Sequence, residues 1–142
     1  MAEPKEAHRE VYAANRSFYD AFESLDIDRM AEVWLRKGFI SCTHPGWARL
    51  SGWGPVMESW EEIFGSAFAM KFVIADEVAH VVGDLAWVTC TEHIENRGYD
   101  GVSQAAVEAT NVFQRDGSKW LMVHHHGSPL VRAPDPSESR LQ

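Results

Sequence analysis

The chain has 142 residues, a length that fits a single domain with one hydrophobic core. Its formal net charge of -8 argues against a nucleic-acid or anionic-membrane partner, because both require a basic surface on the protein. Two cysteines cannot form a disulfide framework, and we find neither a signal-peptide pattern nor the roughly 20 consecutive apolar residues of a membrane span. We therefore expect a soluble, cytoplasmic protein with one domain over residues 1–132 and a flexible tail over residues 133–142.

The first part of the chain has the pattern of helices. Apolar residues recur at helical spacing over residues 5–24, which predicts an amphipathic helix that packs on a sheet. Asp26 is placed to cap a second helix, which we expect to end at Gly38. Gly54-Pro55 is expected to start a third helix, with the proline at its first helical position. Short strands are expected at residues 39–43 and 49–53.

After Gly65 the pattern changes to the apolar-polar alternation that is typical of β-strands. Two dipeptides that favour tight hairpins, Gly83-Asp84 and Asp116-Gly117, separate these runs. The four long strands are predicted at residues 72–82, 85–95, 102–114 and 118–128. Helices followed by such a meander predict an α+β fold in which three helices pack on a bent antiparallel sheet, forming a cone with an interior cavity.

Strand parity in the last hairpin predicts which of three consecutive histidines face the interior. Because side chains alternate across a strand, His124 and His126 would share a face with Met122, and His125 would point away. The neighbouring strand would bring Asn111 to the same face, opposite Met122. Such polar groups among aromatic residues predict either a ligand pocket or a buried polar ladder that only fixes the strand register.

The order of these elements, together with several short motifs, resembles the nuclear-transport-factor-2-like (NTF2-like) superfamily, and within it the SnoaL-like and ketosteroid-isomerase-like proteins. The motifs are Leu25-Asp26-Ile27-Asp28, His44-Pro45, Gly83-Asp84-Leu85-Ala86, and Asp116-Gly117 followed by Trp120. The last hairpin is also similar to the hub domain of calcium/calmodulin-dependent kinase II. The resemblance implies a cone-shaped, cystatin-like fold with an internal cavity over residues 8–130.

The resemblance also implies where a catalytic site would lie. Ketosteroid isomerases carry a carboxylate base just before the proline that follows the first strand, and His44 occupies that position here. Their phenol donor on the first helix falls at about Phe18, with Tyr19 adjacent, and the hub-domain arginine corresponds to Asn111. An imidazole can serve as a general base near neutral pH, so His44 is the candidate base at the mouth of the cavity. The alternative is a histidine that only hydrogen-bonds a loop carbonyl.

These inferences define the predicted site. The candidate catalytic residues are His44, Asn111, His124 and His126, and the candidate ligand-binding residues are Tyr19, Trp34, Trp47, Trp60 and Met122. Glu92 and Glu95 flank His93, and paired carboxylates of this kind can do acid-base work, but we expect them on a solvated outer face or at a subunit contact. A strand pair of histidines can bind zinc with His44 or His93, but the chain lacks a metal-spaced cysteine pair, so we expect no metal and no cofactor.

Two classes of function remain open from the sequence. The first is a cofactor-independent enzyme, of isomerase, hydratase, lyase or hydrolase-like type, that transfers protons on a small apolar or aromatic molecule in the cavity. The second is a non-catalytic ligand-binding or dimerisation module. The strands from Phe72 onward carry apolar residues on both alternations, which predicts a homodimer through the sheet.

Overall fold

The computed structural model describes residues 4–131, so the predicted tail lies outside the described residues. Three helices, α1 (Pro4–Ser24), α2 (Ile27–Val33) and α3 (Trp53–Gly65), pack on one six-stranded sheet. Its strands are β1 (Ser41–Thr43), β2 (Leu50–Ser51), β3 (Ala69–Val82), β4 (Leu85–Gly98), β5 (Gly101–Asp116) and β6 (Lys119–Pro129). The predicted α+β class is confirmed. Over residues 4–131, no helix has the length and apolar character needed to cross a membrane.

Helix α2 begins where Asp26 predicts, but it is shorter than expected, and α3 begins at Trp53, which makes Pro55 its third residue rather than its first. Asp26 caps α2, because its side chain accepts a hydrogen bond from the backbone N–H of Asp28 at 2.9 Å. The helix ends at Val33, since Trp34 leaves it to form a β-bridge with Met122. The backbone N–H of Leu35 donates to the carbonyl of Met122 at 2.9 Å, so α2 is tied directly to the sheet.

The sheet runs in the order β2-β1-β6-β5-β4-β3. Strands β3 to β6 form the predicted antiparallel meander, with hairpin turns after Val82 and Asp116. Strand β1 pairs with β6 in parallel, with Ser41 opposite His124, so the sheet is mixed rather than wholly antiparallel. The whole meander separates β1 from β6 in the chain, and no hairpin therefore constrains their relative direction.

An irregularity in β6 overturns the predicted orientation of the histidines. Met122 pairs with Phe113 and His124 pairs with the preceding residue of β5, which leaves Val123 as one extra residue in β6. A bulge of this kind reverses the alternation of side chains beyond it. His125 therefore faces the interior and is buried, whereas His124 and His126 lie on the outer face. The prediction that His124 and His126 line the interior is wrong for this reason.

Aromatic side chains dominate the core between the helices and the sheet. Phe18 of α1 lies at its centre and is fully buried, with its ring 5.7 Å from that of Trp60 and 4.9 Å from that of His125. These centroid distances fall in the range of favourable aromatic pairs. Since Phe18 links α1 to both α3 and β6, its side chain contributes directly to the position of the helices on the sheet.

Replacing Phe18 with alanine should therefore reduce the free energy of unfolding by about 3–5 kcal/mol, because the ring leaves a cavity that its neighbours cannot fill. Phe39 offers a matched control, since the same substitution there removes a ring that is 62% exposed. Phe39→Ala should change stability by less than about 0.5 kcal/mol. Urea denaturation of both variants measures the difference, and equal losses would contradict the central position of Phe18.

Candidate functional site

A group of polar side chains is buried on the inner face of the sheet. Helix α1 supplies Asn15 and Tyr19, and strands β4, β5 and β6 supply Glu92, Asn111 and His125. None of these five side chains is more than 3% exposed. Burial of polar groups is costly unless they are hydrogen-bonded, so their partners determine what the group can do.

Short hydrogen bonds connect these side chains to one another. The Tyr19 hydroxyl donates to Glu92 Oε2 at 2.5 Å and accepts from Asn111 Nδ2 at 3.1 Å. Asn111 Nδ2 also donates to Asn15 Oδ1 at 2.8 Å, and Asn111 Oδ1 lies 2.6 Å from Nδ1 of His125. Asn111 is therefore the branching point, since its amide contacts all three of its polar neighbours.

His44 lies beside this network, just after β1. Its Nε2 is 2.8 Å from the hydroxyl oxygen of Ser59, which donates its own proton to the carbonyl of Val56. Ser59 has only one proton to give, so it accepts from His44, whose Nε2 must carry a proton. The imidazole of His44 packs edge-on against Trp60 at 4.6 Å, and it is 2% exposed. His44 is thus a buried residue held by α3, rather than an open residue at a mouth.

Burial changes the proton affinities of these groups. It raises the pKa of Glu92 to about 7, an effect opposed by the hydrogen bond from Tyr19 and reinforced by the negative charge of Glu108. Burial lowers the pKa of His44 to about 4 and that of His125 well below its ordinary value. It also raises the pKa of Tyr19. At neutral pH the site therefore contains a half-ionised carboxyl group among neutral imidazoles and a neutral phenol.

The structure separates the predicted site residues into two sets. One set lies on the outer face of the sheet and consists of His124 and His126. The other set lies in the buried interior and consists of His44, Asn111, Tyr19, Trp34, Trp60 and Met122. Trp47 belongs to neither set, because its side chain is 36% exposed although its ring centroid is only 4.9 Å from that of the buried His44. On the outer face, Nδ1 of His124 is 2.6 Å from the hydroxyl of Ser41 in the neighbouring strand.

Sequence reasoning missed Glu92, Asn15 and His125. The expectation of a solvated or intersubunit Glu92 is wrong, since its carboxyl group lies under α1. The alternation of side chains along β4 could have indicated the burial of Glu92, because Glu92 lies on the same strand face as the buried Val88 and Cys90. Nothing comparable was available for His125, whose orientation depends on the bulge.

Two indole groups beside the network have unsatisfied donors. The Nε1 atoms of Trp34 and Trp60 are buried and have no hydrogen-bond partner among the described residues. The two rings lie 6.5 Å apart, and Trp60 also contacts His44. An unsatisfied buried donor is destabilising, and a hydrogen-bond acceptor brought to these N–H groups would relieve that penalty.

Open grooves of about 610, 500 and 340 Å³ lie elsewhere on the protein, and none of these three is lined by Glu92, His44 or His125. The interior pocket therefore stays a prediction. Within residues 4–131, we find no cluster of three or more histidine, cysteine, aspartate or glutamate side chains arranged to hold a metal ion.

Comparison with known proteins assigns the family. Residues 11–132 match the model of the SnoaL-like domain. This chain belongs to the SnoaL-like domain family. The match extends from within α1 to beyond the end of β6, so it includes every element that contributes to the buried network.

Two solved structures and one curated protein are also similar to this chain. One solved structure, from Streptomyces avermitilis, was provisionally named a dehydratase of the NTF2-like family. Its sequence is 36% identical to this chain, and the alignment covers 92% of this chain and 100% of that protein chain, with a TM-score of 0.87. Another, from Thiobacillus denitrificans, was provisionally named a calcium/calmodulin-dependent protein kinase type II association domain, with 34% identity, 84% and 94% coverage and a TM-score of 0.71. The F-box protein SKIP8 of Arabidopsis thaliana is 28% identical over 123 residues, which are 87% of this chain but only 51% of that protein. This chain thus spans about half the length of that relative.

The raised pKa of Glu92 predicts a specific pH dependence of stability. Because the folded state holds this proton more tightly than the unfolded state, ionisation of Glu92 reduces stability as the pH rises from about 4.5 to about 7. Glu92→Gln removes that loss and keeps an acceptor for Tyr19. Relative to the original protein, the variant should gain about 2–3 kcal/mol of unfolding free energy between pH 5 and pH 8.

Urea denaturation at pH 5, 6.5 and 8 measures this gain. The same substitution at Glu61, an exposed residue of α3, should leave the difference between variant and original protein constant over that range. If the unfolding free energy of Glu92→Gln also differs from that of the original protein by the same amount at all three pH values, the pKa of Glu92 is not raised in the folded protein.

Proposed function

We propose that this SnoaL-like chain binds a small apolar or aromatic molecule inside the cone and transfers protons on it, as an isomerase or a dehydratase does. The observation that carries the proposal is the buried pair of Tyr19 and Glu92, joined at 2.5 Å, with the pKa of Glu92 raised to about 7. A general acid-base group is most effective when its pKa lies near the working pH. Aromatic walls beside a few convergent polar groups are typical of ligand sites.

The chemistry needs a substrate with a proton on the carbon next to a carbonyl group. Ionised Glu92 takes that proton, and the electrons of the C–H bond form a carbon-carbon double bond. In an isomerisation Glu92 returns the proton to another carbon. In a dehydration the C–O bond at the next carbon breaks, and the departing hydroxyl takes the proton from Glu92 to leave as water. Both reactions balance without an oxidant or a cofactor.

The other buried groups have supporting roles in this proposal. The indole N–H groups of Trp34 and Trp60, which have no partner among the described residues, can donate to the carbonyl oxygen, on which negative charge develops. Neutral Tyr19 holds the carboxyl group of Glu92 in place through its hydrogen bond. His44, with its pKa lowered to about 4, is a weaker base than Glu92. The provisional name of the S. avermitilis relative favours the dehydratase form of the reaction.

Both cysteines are free thiols, in keeping with the expected cytoplasmic location.

Hydrogen-deuterium exchange on a model ketone tests the proton-transfer step without knowledge of the natural substrate. With 2-tetralone in D₂O, the protein should accelerate exchange of the protons beside the carbonyl, as followed by NMR. Glu92→Gln should reduce this acceleration by about 10²–10⁴-fold, the usual contribution of a general acid-base group. Tyr19→Phe should reduce it by a smaller factor, since it removes the hydrogen bond that holds the carboxyl group of Glu92 in place.

Glu61→Gln is the matched control and should exchange 2-tetralone like the original protein. Thermal melting with 2-tetralone, flavanone and a steroid enone reports binding separately from catalysis. A ligand-induced rise in the melting temperature without any accelerated exchange would favour a binding module. Neither effect with any of the three compounds would contradict the proposal.

A second function, self-association through the sheet, is favoured by the outer face. This face exposes apolar side chains along the edge formed by β3 and β4, namely Val73, Val78, Val82, Leu85 and Trp87. Contiguous apolar surface is unusual on a monomer and marks interaction sites. The name of the T. denitrificans relative, an association domain, points in the same direction. We therefore propose that the chain forms a homodimer through this face.

Light scattering at micromolar concentration should give twice the mass of the chain. Trp87→Glu places a charge on the proposed interface and should shift the protein towards the monomer. Glu61→Lys, a charge change on exposed α3, should leave the mass unchanged. A monomeric original protein, or a dimer that survives Trp87→Glu, would contradict association through this face.

A further inference from the structure

The buried network extends beyond the residues already described, to a carboxylate on β3. Glu77 lies in an irregular segment between Ala75 and Val78, where β3 has two residues without partners in β4. The first of these, Asp76, has a left-handed backbone with φ of 52°. This irregularity brings Glu77 to α1, where its Oε2 accepts a hydrogen bond from Asn15 Nδ2 at 2.6 Å.

We propose that Glu77 is a positioning residue: through two intervening amides, it determines which ring nitrogen of His125 carries the proton. A carboxylate only accepts hydrogen bonds, so the side chain of Asn15 must turn its NH₂ group towards Glu77. The carbonyl oxygen of Asn15 then faces away from Glu77, towards β5.

The second amide transmits this orientation. Asn111 must present its NH₂ group to the carbonyl oxygen of Asn15, which lies 2.8 Å away. Its own carbonyl oxygen therefore faces Nδ1 of His125 at 2.6 Å. A carbonyl oxygen requires a donor at that distance, so Nδ1 of His125 carries the proton and Nε2 is the unprotonated nitrogen.

The reversed orientation is excluded by the carboxylate. If both amides turned over, the carbonyl oxygen of Asn15 would face Glu77 Oε2 at 2.6 Å, with two acceptors in contact and no proton between them. The unpaired acceptors would be costly because Asn15 and Asn111 are fully buried. Glu77 thus acts on a histidine that it does not touch.

The same orientation also directs the proton of Tyr19. Because Asn111 Nδ2 donates to the Tyr19 hydroxyl at 3.1 Å, the hydroxyl must give its own proton elsewhere. Glu92 Oε2 is the acceptor, so a proton taken up by Glu92 belongs on its other carboxyl oxygen. The consequence for catalysis rests on the proposed function, whereas the proton position on His125 does not.

Long-range ¹H–¹⁵N NMR of ¹⁵N-histidine-labelled protein at pH 7.5 tests the inference directly, because protonated and unprotonated ring nitrogens resonate in separate ranges. His125→Gln identifies the signals of His125. In the original protein Nδ1 should appear as protonated and Nε2 as unprotonated. The readout needs no substrate, so its failure is distinct from a failure of the proposed function.

Glu77→Lys replaces an acceptor by a group that only donates, and it should reverse both amides. Nδ1 and Nε2 of His125 should then exchange their resonance ranges. Glu77→Gln retains an acceptor and should preserve the original pattern. Asp20→Lys makes the same charge change on an exposed position of α1 and should have no effect on His125.

A protonated Nε2 on His125 in the original protein would overturn the inference. So would an unchanged His125 pattern in folded Glu77→Lys. If that variant does not fold, Glu77→Leu replaces it, since loss of the acceptor frees Asn15 to turn. The Nε2-protonated form of His125 should then become detectable, and its absence would equally overturn the inference.

Discussion

One extra residue in β6 determines which side chains the interior of this protein contains. Because Val123 has no partner in β5, Met122 and His125 both face the helices although they are three residues apart. The contact between His125 and Asn111 depends on this bulge, and so does the packing of Phe18 against the imidazole. Without the bulge, the outer-face histidines would enter the core and the network would lose one end.

The network also explains how an aromatic core tolerates so many polar groups. Each amide, hydroxyl and carboxyl group described above has a partner on another helix or strand, so none bears the full cost of desolvation. Such contacts are directional, unlike apolar packing. They therefore specify how α1 lies across β3, β4 and β5, while burial keeps the pKa of Glu92 near neutrality.

The two proposed functions use opposite faces of the same sheet. The inner face carries the acid-base groups, and the outer face carries exposed apolar residues such as Val78 and Trp87. A strand alternates between its faces, so one face can change without altering the other. The relatives provisionally named a dehydratase and an association domain show that both names occur among structures with more than 30% identity to this chain.

The sequence by itself determined the class of fold, the long strands, the cap at Asp26 and the family, because periodicity, turn residues and short motifs are local properties. It also brought His44, Asn111 and Tyr19 forward as site residues, and the structure places all three in the buried interior. Only the tertiary structure decided that His125 replaces its neighbours, since a bulge is defined by what the partner strand does. The same holds for Glu92 and Glu77, because both carboxyl groups acquire their hydrogen-bond partners from α1, which lies more than 50 residues away in the chain.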